Sequence, residues 1–296
     1  MVGSALVKAM SGEGHEVSGL VRPESKTVAA DRKPGAAQTS VVWDPLRGTL
    51  GAGADAADAI VHLAGASIAG GRWTAARKRV LRDSRVAATR HLVGTLGKLS
   101  RPPRIFIGAS AIGYYGDRGD EELTESSSRG DGFLAEVAGD WEAESLSATA
   151  FGARVVILRF GVILARNGGA LPQMALPFRL GVGGRVGSGR QWMSWVTLED
   201  VVGAIRFAIT NEQVSGPVNV VSPHPVRNAE FATQLAQVLH RPALFATPAF
   251  VLRLALGELA DSLLLSSQRV LPNRLTQMGY PFLHTELKPA LAAVLR

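Results

Sequence analysis

Residues 104–110 read RIFIGAS and residues 153–161 read ARVVILRFG. Both runs are apolar through their centres, rich in β-branched residues and too short for a core helix, so both predict strands. Continuous rather than alternating apolarity predicts burial on both faces, as in a parallel sheet covered by helices on either side. Working outward, similar short runs occur at 16–21, in TSVVW at 39–43, at 59–63 within ADAIVHLAG, and in GPVNVVS at 216–222. Helical periodicity fills the intervals, at 3–11, about 75–98 and roughly 132–149. Strands alternating with helices over short connections predict an α/β, doubly wound parallel sheet.

From residue 165 the texture changes. LPQMALPFRLGVGGRVGSGRQWMSWV is rich in Gly and Pro and carries two tryptophans. TLEDVVGAIRFAI then predicts a helix opened by a capping box, Thr197 with Asp200. Beyond 223 the pattern is mainly helical, with a Pro-punctuated apolar helix near 248–260. The predicted organisation is a sheet domain over 1–164, completed by 197–222, and a smaller, mainly helical lobe from 165–196 and 223–296.

The composition, 46% hydrophobic and 19% charged, is that of a globular chain. Cysteine is absent, which excludes disulfides, thiolate metal sites and cysteine nucleophiles. No run of about 18 uncharged apolar residues predicts a membrane span, and the opening residues lack the pattern of a secretory signal. A cytoplasmic protein is expected. The net charge is +7. Its densest cluster, RWTAARKRVLRDSR at 72–85, sets Lys78, Arg82 and Arg85 at helical spacing. That spacing suits a solvated helix face or an anionic small ligand; the spread of the other basic residues argues against nucleic acid. The six histidines show no metal-ligand spacing, His62 sits in a strand and reads as core, and GGRVGSGRQW lacks the Gly-Lys-Ser/Thr of a phosphate loop.

Together, MVG, IVHLAG, SRVAATRHLV, IGASAIGYYG, LRFGVIL and MSWVTLEDVVGAI resemble the short-chain dehydrogenase/reductase superfamily, in its extended, nucleotide-sugar-epimerase-like branch. SAIGYYGDRGDE, FLAEVAGDWE and GPVNVVSP resemble a subgroup of epimerase-family oxidoreductases of unknown substrate with a helical C-terminal domain. The resemblance implies a Rossmann-type doubly wound sheet. In that branch a strand and a G-x-x-G-[FM]-[IV]-G turn precede the first helix, and Gly3 matches the last glycine. About ten residues, the first strand and two glycines, are therefore expected to be missing, with an internal Met taken as the start or the chain a fragment.

The resemblance also implies a dinucleotide. Arg22, directly after the second strand of such a fold, suits the 2′-phosphate of NADP, whereas NAD calls for an acid there; a solvated surface Arg is the other reading. Trp43 and Asp44 fall near the expected adenine, although Asp44 also suits a turn before Pro45. Leu63, Ala64 and Gly65 are expected to line the crevice, where small residues allow close backbone approach. Arg85 stands where the branch usually has Asn and joins the expected cofactor-binding set, with Lys78 and Arg190 as further clamps for an anionic substrate.

For chemistry, the superfamily uses Ser and a Tyr-x-x-x-Lys pair, in which Lys lowers the phenol pKa and Tyr shuttles a proton. Ser110 occupies the Ser position. No Tyr has Lys four residues on, and the expected helix offers Phe133 and Val137 instead. Tyr114 or Tyr115 could supply a proton, or pack under a loop. Two functions follow: an NADP-dependent oxidoreductase or epimerase-like enzyme acting through Ser110 on a small carbonyl or nucleotide-sugar-like substrate, or an NADPH-binding regulatory sensor that has lost catalysis. Neither reading requires a metal.

Overall fold

The computed structural model describes residues 1–23, 40–51 and 53–296. In the first half of the chain the elements are α1 (Val2–Gly12), β1 (Gly19–Val21), β2 (Ser40–Asp44), β3 (Thr49–Leu50), β4 (Ala59–His62), α2 (Ala75–Asp83) and α3 (Val86–Leu96). These are followed by β5 (Ile105–Ala111), β6 (Glu122–Leu123), α4 (Phe133–Leu146), β7 (Arg154–Phe160) and β8 (Val162–Leu164). The second half adds α5 (Leu171–Arg179), β9 (Trp192–Met193), β10 (Trp195–Thr197), α6 (Leu198–Thr210), β11 (Gly216–Val220) and β12 (Val226–Arg227). The last elements are α7 (Asn228–Leu239), α8 (Ala249–Leu256), a π-helical turn at Ala260–Leu265, β13 (Arg269–Val270), α9 (Asn273–Gln277) and α10 (Leu287–Leu295).

The doubly wound α/β sheet is present, in two hydrogen-bonded blocks. One is entirely parallel, in the order β11-β7-β5-β4; the other pairs β1 with β2 in parallel and adds β3 as a short antiparallel arm. Between the blocks, β1 and β4 each keep one edge without a strand partner among the described residues, at the place a doubly wound sheet gives its first strand.

Strand parity distributes the core. Ile107, Val156, Leu158, Val218 and Val220 face the helices α1 and α6, where Leu6, Val201 and Ile205 meet them. Phe106, Val155 and Ile157 face the other way, onto Leu92, Val93 and Leu96 of α3. Successive side chains of a strand point to opposite faces, so a run that is apolar at every position supplies both layers.

At Gly161 the chain leaves β7 for β8, which pairs in parallel with β10. A side chain at 161 would lie 2.6 Å from the Ser194 carbonyl oxygen, so only glycine allows this crossing. The smaller lobe has its own cluster, built from Leu171, Phe178, Trp195, Phe231, Leu235 and Leu291.

Two helical expectations need correction. The helix expected over 75–98 is broken at Ser84–Arg85. Ser84 Oγ donates to the Leu81 carbonyl and accepts from the Ala66 amide, both at 3.1 Å, and Arg85, at φ −112°, ψ −65°, stands between the two helices as the N-terminal cap of α3. Tertiary bonds to the β4 loop outweigh local propensity there. The apolar helix expected at 248–260 stops at Leu256, because Gly257 takes φ +63° and ends it. Among the described residues no helix is long and apolar enough to cross a membrane.

Candidate functional site

A crevice of about 190 Å³ lies at the carboxyl ends of the central strands, where open α/β sheets bind their ligands. Its floor comes from Ala111 at the end of β5 and from Phe160 and Gly161 at the end of β7. Leu134, Val137 and Trp141 of α4 form one wall, and Ser262, Leu263 and Gln268 of the smaller lobe form the other. Gln268 is held there by its amide, which donates to the Gly116 carbonyl at 3.0 Å. Arg85 is the one charged residue among those lining the crevice. A larger hollow of about 310 Å³ lies by the carboxyl end of α1, around Met10, Phe207 and Tyr280, and none of the residues singled out from sequence lines it.

Ser110 does not open into the crevice. It is 3% exposed, and its hydroxyl donates to Glu142 Oε1 at 2.6 Å. Ser110 and Arg159 are register partners on β5 and β7, and their shared face looks onto α4. Arg159 binds both Glu142 carboxylate oxygens, at 2.8 and 2.7 Å, and donates to the Tyr115 hydroxyl at 2.9 Å. Tyr115 in turn donates to Asn219 Oδ1 at 2.7 Å. Burial pushes the Tyr115 phenol up to about 12, although Arg159 and Asn219 pull the other way. Burial alone would weaken the charge on Arg159, but the forked bond to Glu142 overrides it and holds the guanidinium pKa above its ordinary value. Tyr114 is half-buried, its ring stacked 3.5 Å from the Arg159 guanidinium carbon. The structure thus joins Ser110, Tyr114 and Tyr115 through Arg159.

The expected cofactor residues are more dispersed. Gly3 lies in the first turn of α1, which has no side-chain cap, and a side chain there would meet no protein atom within 4 Å. The amide groups of a helix's first turn can bind an anion. Arg22, just past β1, is exposed. Leu63 is half-buried after β4, and Ala64 and Gly65 form an exposed turn. The open space around Gly3 and the exposed small residues Ala64 and Gly65 fit a dinucleotide backbone.

Trp43 is buried in the core, set edge-on to His62 at 5.9 Å, and its indole N–H has no partner among the described residues. Asp44 makes a turn: its carboxylate accepts from the amides of Leu46 and Arg47 at 2.9 and 3.2 Å. His62 is buried as its strand position implied; burial lowers its pKa to about 4, and Nε2 meets the Thr89 hydroxyl at 3.0 Å. Of the further clamp candidates, Lys78 is paired with Glu258, while Arg190 is exposed beside Trp192 and Arg227, which donates to its carbonyl.

Glu142, Arg159 and Asn219 were not singled out from the sequence. Each nevertheless carries a signal. Arg159 interrupts an apolar strand, and Glu142 falls on the stripe Ala138, Trp141, Ser145 that α4 buries. Parity would also have placed Ser110 on the face of Phe106 and Gly108, toward a helix.

Parallel strands, helices on both faces and a crevice at the strands' carboxyl ends define a dinucleotide-binding protein of epimerase type. The chain belongs to the NAD dependent epimerase/dehydratase family, whose model matches residues 1–221, and residues 247–294 match a domain of unknown function, DUF1731. It is 41% identical over 292 residues to an epimerase family protein of Mycobacterium tuberculosis, covering 98% of this chain and 93% of that one. An epimerase family protein of Bacillus subtilis is 41% identical over 239 residues, 80% of this chain and 78% of its own. The solved structure of human epimerase family protein SDR39U1 with NADPH superposes with a TM-score of 0.86 at 32% identity, over 100% of this chain and 96% of that one.

Proposed function

We propose that the chain is an NADP(H)-dependent oxidoreductase of the epimerase family that acts on a small carbonyl compound seated in the crevice. The observation that carries this reading is the crevice itself, open at the carboxyl ends of β5 and β7 and walled mainly by apolar side chains. A bound nicotinamide would supply the hydride donor or acceptor. Gly3 and the first turn of α1 would hold the phosphates, the turn at Ala64–Gly65 would let the dinucleotide approach the backbone, and Arg22 would bind the 2′-phosphate. NADPH in the human relative supports NADP over NAD.

Val137 stands in the crevice where the superfamily pattern has Lys, so the phenol-lowering charge of that pair is missing. Ser110 and Tyr115 hold the wall behind the floor through Glu142 and Arg159. Of the three hydroxyls, that of Tyr114, one residue beyond the crevice-lining Gly113, is left for proton transfer, and reaching the substrate would require its ring to turn from the Arg159 face into the crevice. A second reading, a sensor that binds NADPH without turnover, draws its support from the same crevice, whose lining contains no tyrosine, lysine or carboxylate among the described residues.

Fluorescence titration separates the cofactors. NADPH should bind more tightly than NADH, and Arg22→Ala should weaken NADPH by about 1–3 kcal/mol, the scale of a charged hydrogen bond, while hardly affecting NADH. Equal losses for both would reject the 2′-phosphate role. NADPH consumption across a panel of carbonyl and nucleotide-sugar substrates, lowered by Tyr114→Phe, supports the enzyme; binding without consumption supports the sensor.

A further inference from the structure

Two guanidinium groups lie beside the crevice, and their surroundings differ. Arg159, behind the floor, is neutralised by the forked bond to Glu142. Arg85 has no carboxylate within ion-pair distance among the described residues. Its Nη1 and Nη2 donate to the carbonyls of Leu81 and Ala66, both at 3.1 Å, and its guanidinium carbon lies 5.3 Å from the centre of the Trp141 ring. A side chain on residue 65 would lie 3.1 Å from that carbon, so Gly65 lets the guanidinium lie flat against the turn. The neighbouring basic residues Lys78, Arg82 and Arg90 are paired with Glu258, Asp140 and Glu144. Arg72 and Arg77 instead bind carbonyl oxygens, those of Leu254 and Ser67. Arg85 is thus a crevice-lining cation whose hydrogen-bond partners are backbone oxygens.

A half-buried cation without a counter-charge is costly unless an anion reaches it. Here burial, and then the charge of Arg77, lower the Arg85 pKa from its ordinary value. The lobe across the crevice adds to the field. Residues 165–196 and 223–296 contain 11 Lys and Arg against 4 Asp and Glu, while the rest of the chain has 21 of each. The net charge of +7 thus belongs to the part of the chain that supplies Ser262, Leu263 and Gln268 to the crevice, and a net positive charge favours anionic ligands.

We infer that Arg85 is the anion anchor of the crevice, binding a carboxylate or phosphate oxygen of a small ligand whose apolar body rests on Trp141, Leu134 and Phe160. The inference deepens the reading of the crevice as a substrate site and rests on it. The guanidinium keeps N–H groups beyond the two used by Leu81 and Ala66, and the remaining walls offer only the neutral polar groups of Ser262 and Gln268. An anionic head and an apolar body match that division.

The test uses 3-phenylpropionate and 3-phenylpropionamide, which share shape and differ in charge, titrated calorimetrically into the protein with and without NADPH. The acid should bind the wild type at least about tenfold more tightly than the amide, and added salt should weaken the acid alone. Arg85→Gln should erase the preference, and Arg85→Lys, which keeps a charge but loses the fork, should keep part of it. Circular dichroism confirms that both variants fold. Equal binding of acid and amide by the wild type, no binding of either at millimolar concentration, or an undiminished preference in Arg85→Gln overturns the inference. So does a loss confined to NADPH affinity, which would assign Arg85 to the cofactor's own phosphates. If the preference holds while NADPH fails to bind, the anchor stands and the dinucleotide reading falls.

Discussion

Glu142 and Arg159 form an ion pair in which both side chains are almost wholly buried. Ser110 and Tyr115 each add a hydrogen bond to the pair, which helps the attraction offset desolvation. Glu142→Gln should therefore cost about 3–5 kcal/mol in chemical denaturation, since it leaves a buried guanidinium without its counter-charge, whereas the double variant Glu142→Met, Arg159→Met should cost much less. A double variant as damaging as the single one would show that the pair stabilises by more than mutual neutralisation. His62 gives a second residue-scale test. Its folded pKa of about 4 lies below the ordinary 6.5. Above pH 6.5 the ring is neutral in both states; below it, the unfolded chain takes up a proton that the folded one refuses. Stability should fall as pH drops from 6.5 to about 4, by up to about 3 kcal/mol. In His62→Gln that portion of the pH dependence should vanish, as read from urea midpoints across the range.

Among the elements, α6 has the clearest local design. Thr197 accepts from the Asp200 amide at 3.1 Å, and its hydroxyl donates to the Asp200 carboxylate at 2.9 Å. The same carboxylate accepts from the amides of Leu283 and His284, at 2.8 and 3.1 Å. The cap therefore also fastens the segment that leads into α10. Thr197→Ala should lower stability by about 1–2 kcal/mol, and Thr197→Ser should retain most of it, as measured by thermal melting. An unchanged melting temperature in Thr197→Ala would mean that Asp200 holds both helix and segment unaided. The stretch 75–98 teaches the opposite lesson: its helical periodicity is unbroken in sequence, yet two side chains bound to the β4 loop divide it.

At the scale of the whole molecule, the parallel sheet, its covering helices, the cap at Thr197 and the family were legible in the sequence. Each rests on short-range pattern: continuous apolar runs for the strands, a period of 3.6 for the helices, and a cap whose partners lie three residues apart. The absence of Tyr-x-x-x-Lys was equally plain. The fate of Ser110 was not legible. Strand parity gives its face, but its partners lie 32 residues on in α4 and, through Arg159, on the neighbouring strand. Trp43 likewise takes its buried position from His62 on another strand, and the exposure of Arg22 follows from the end of a short β1. Sequence by itself determined the order of the core strands and the main covering helices and the unequal charge of the two parts, because these depend on residue type and spacing alone. Only tertiary structure decided which hydroxyls are locked inside, which arginine has a carboxylate and which faces the crevice without one, because burial and charge pairing depend on residues that distant parts of the chain bring together.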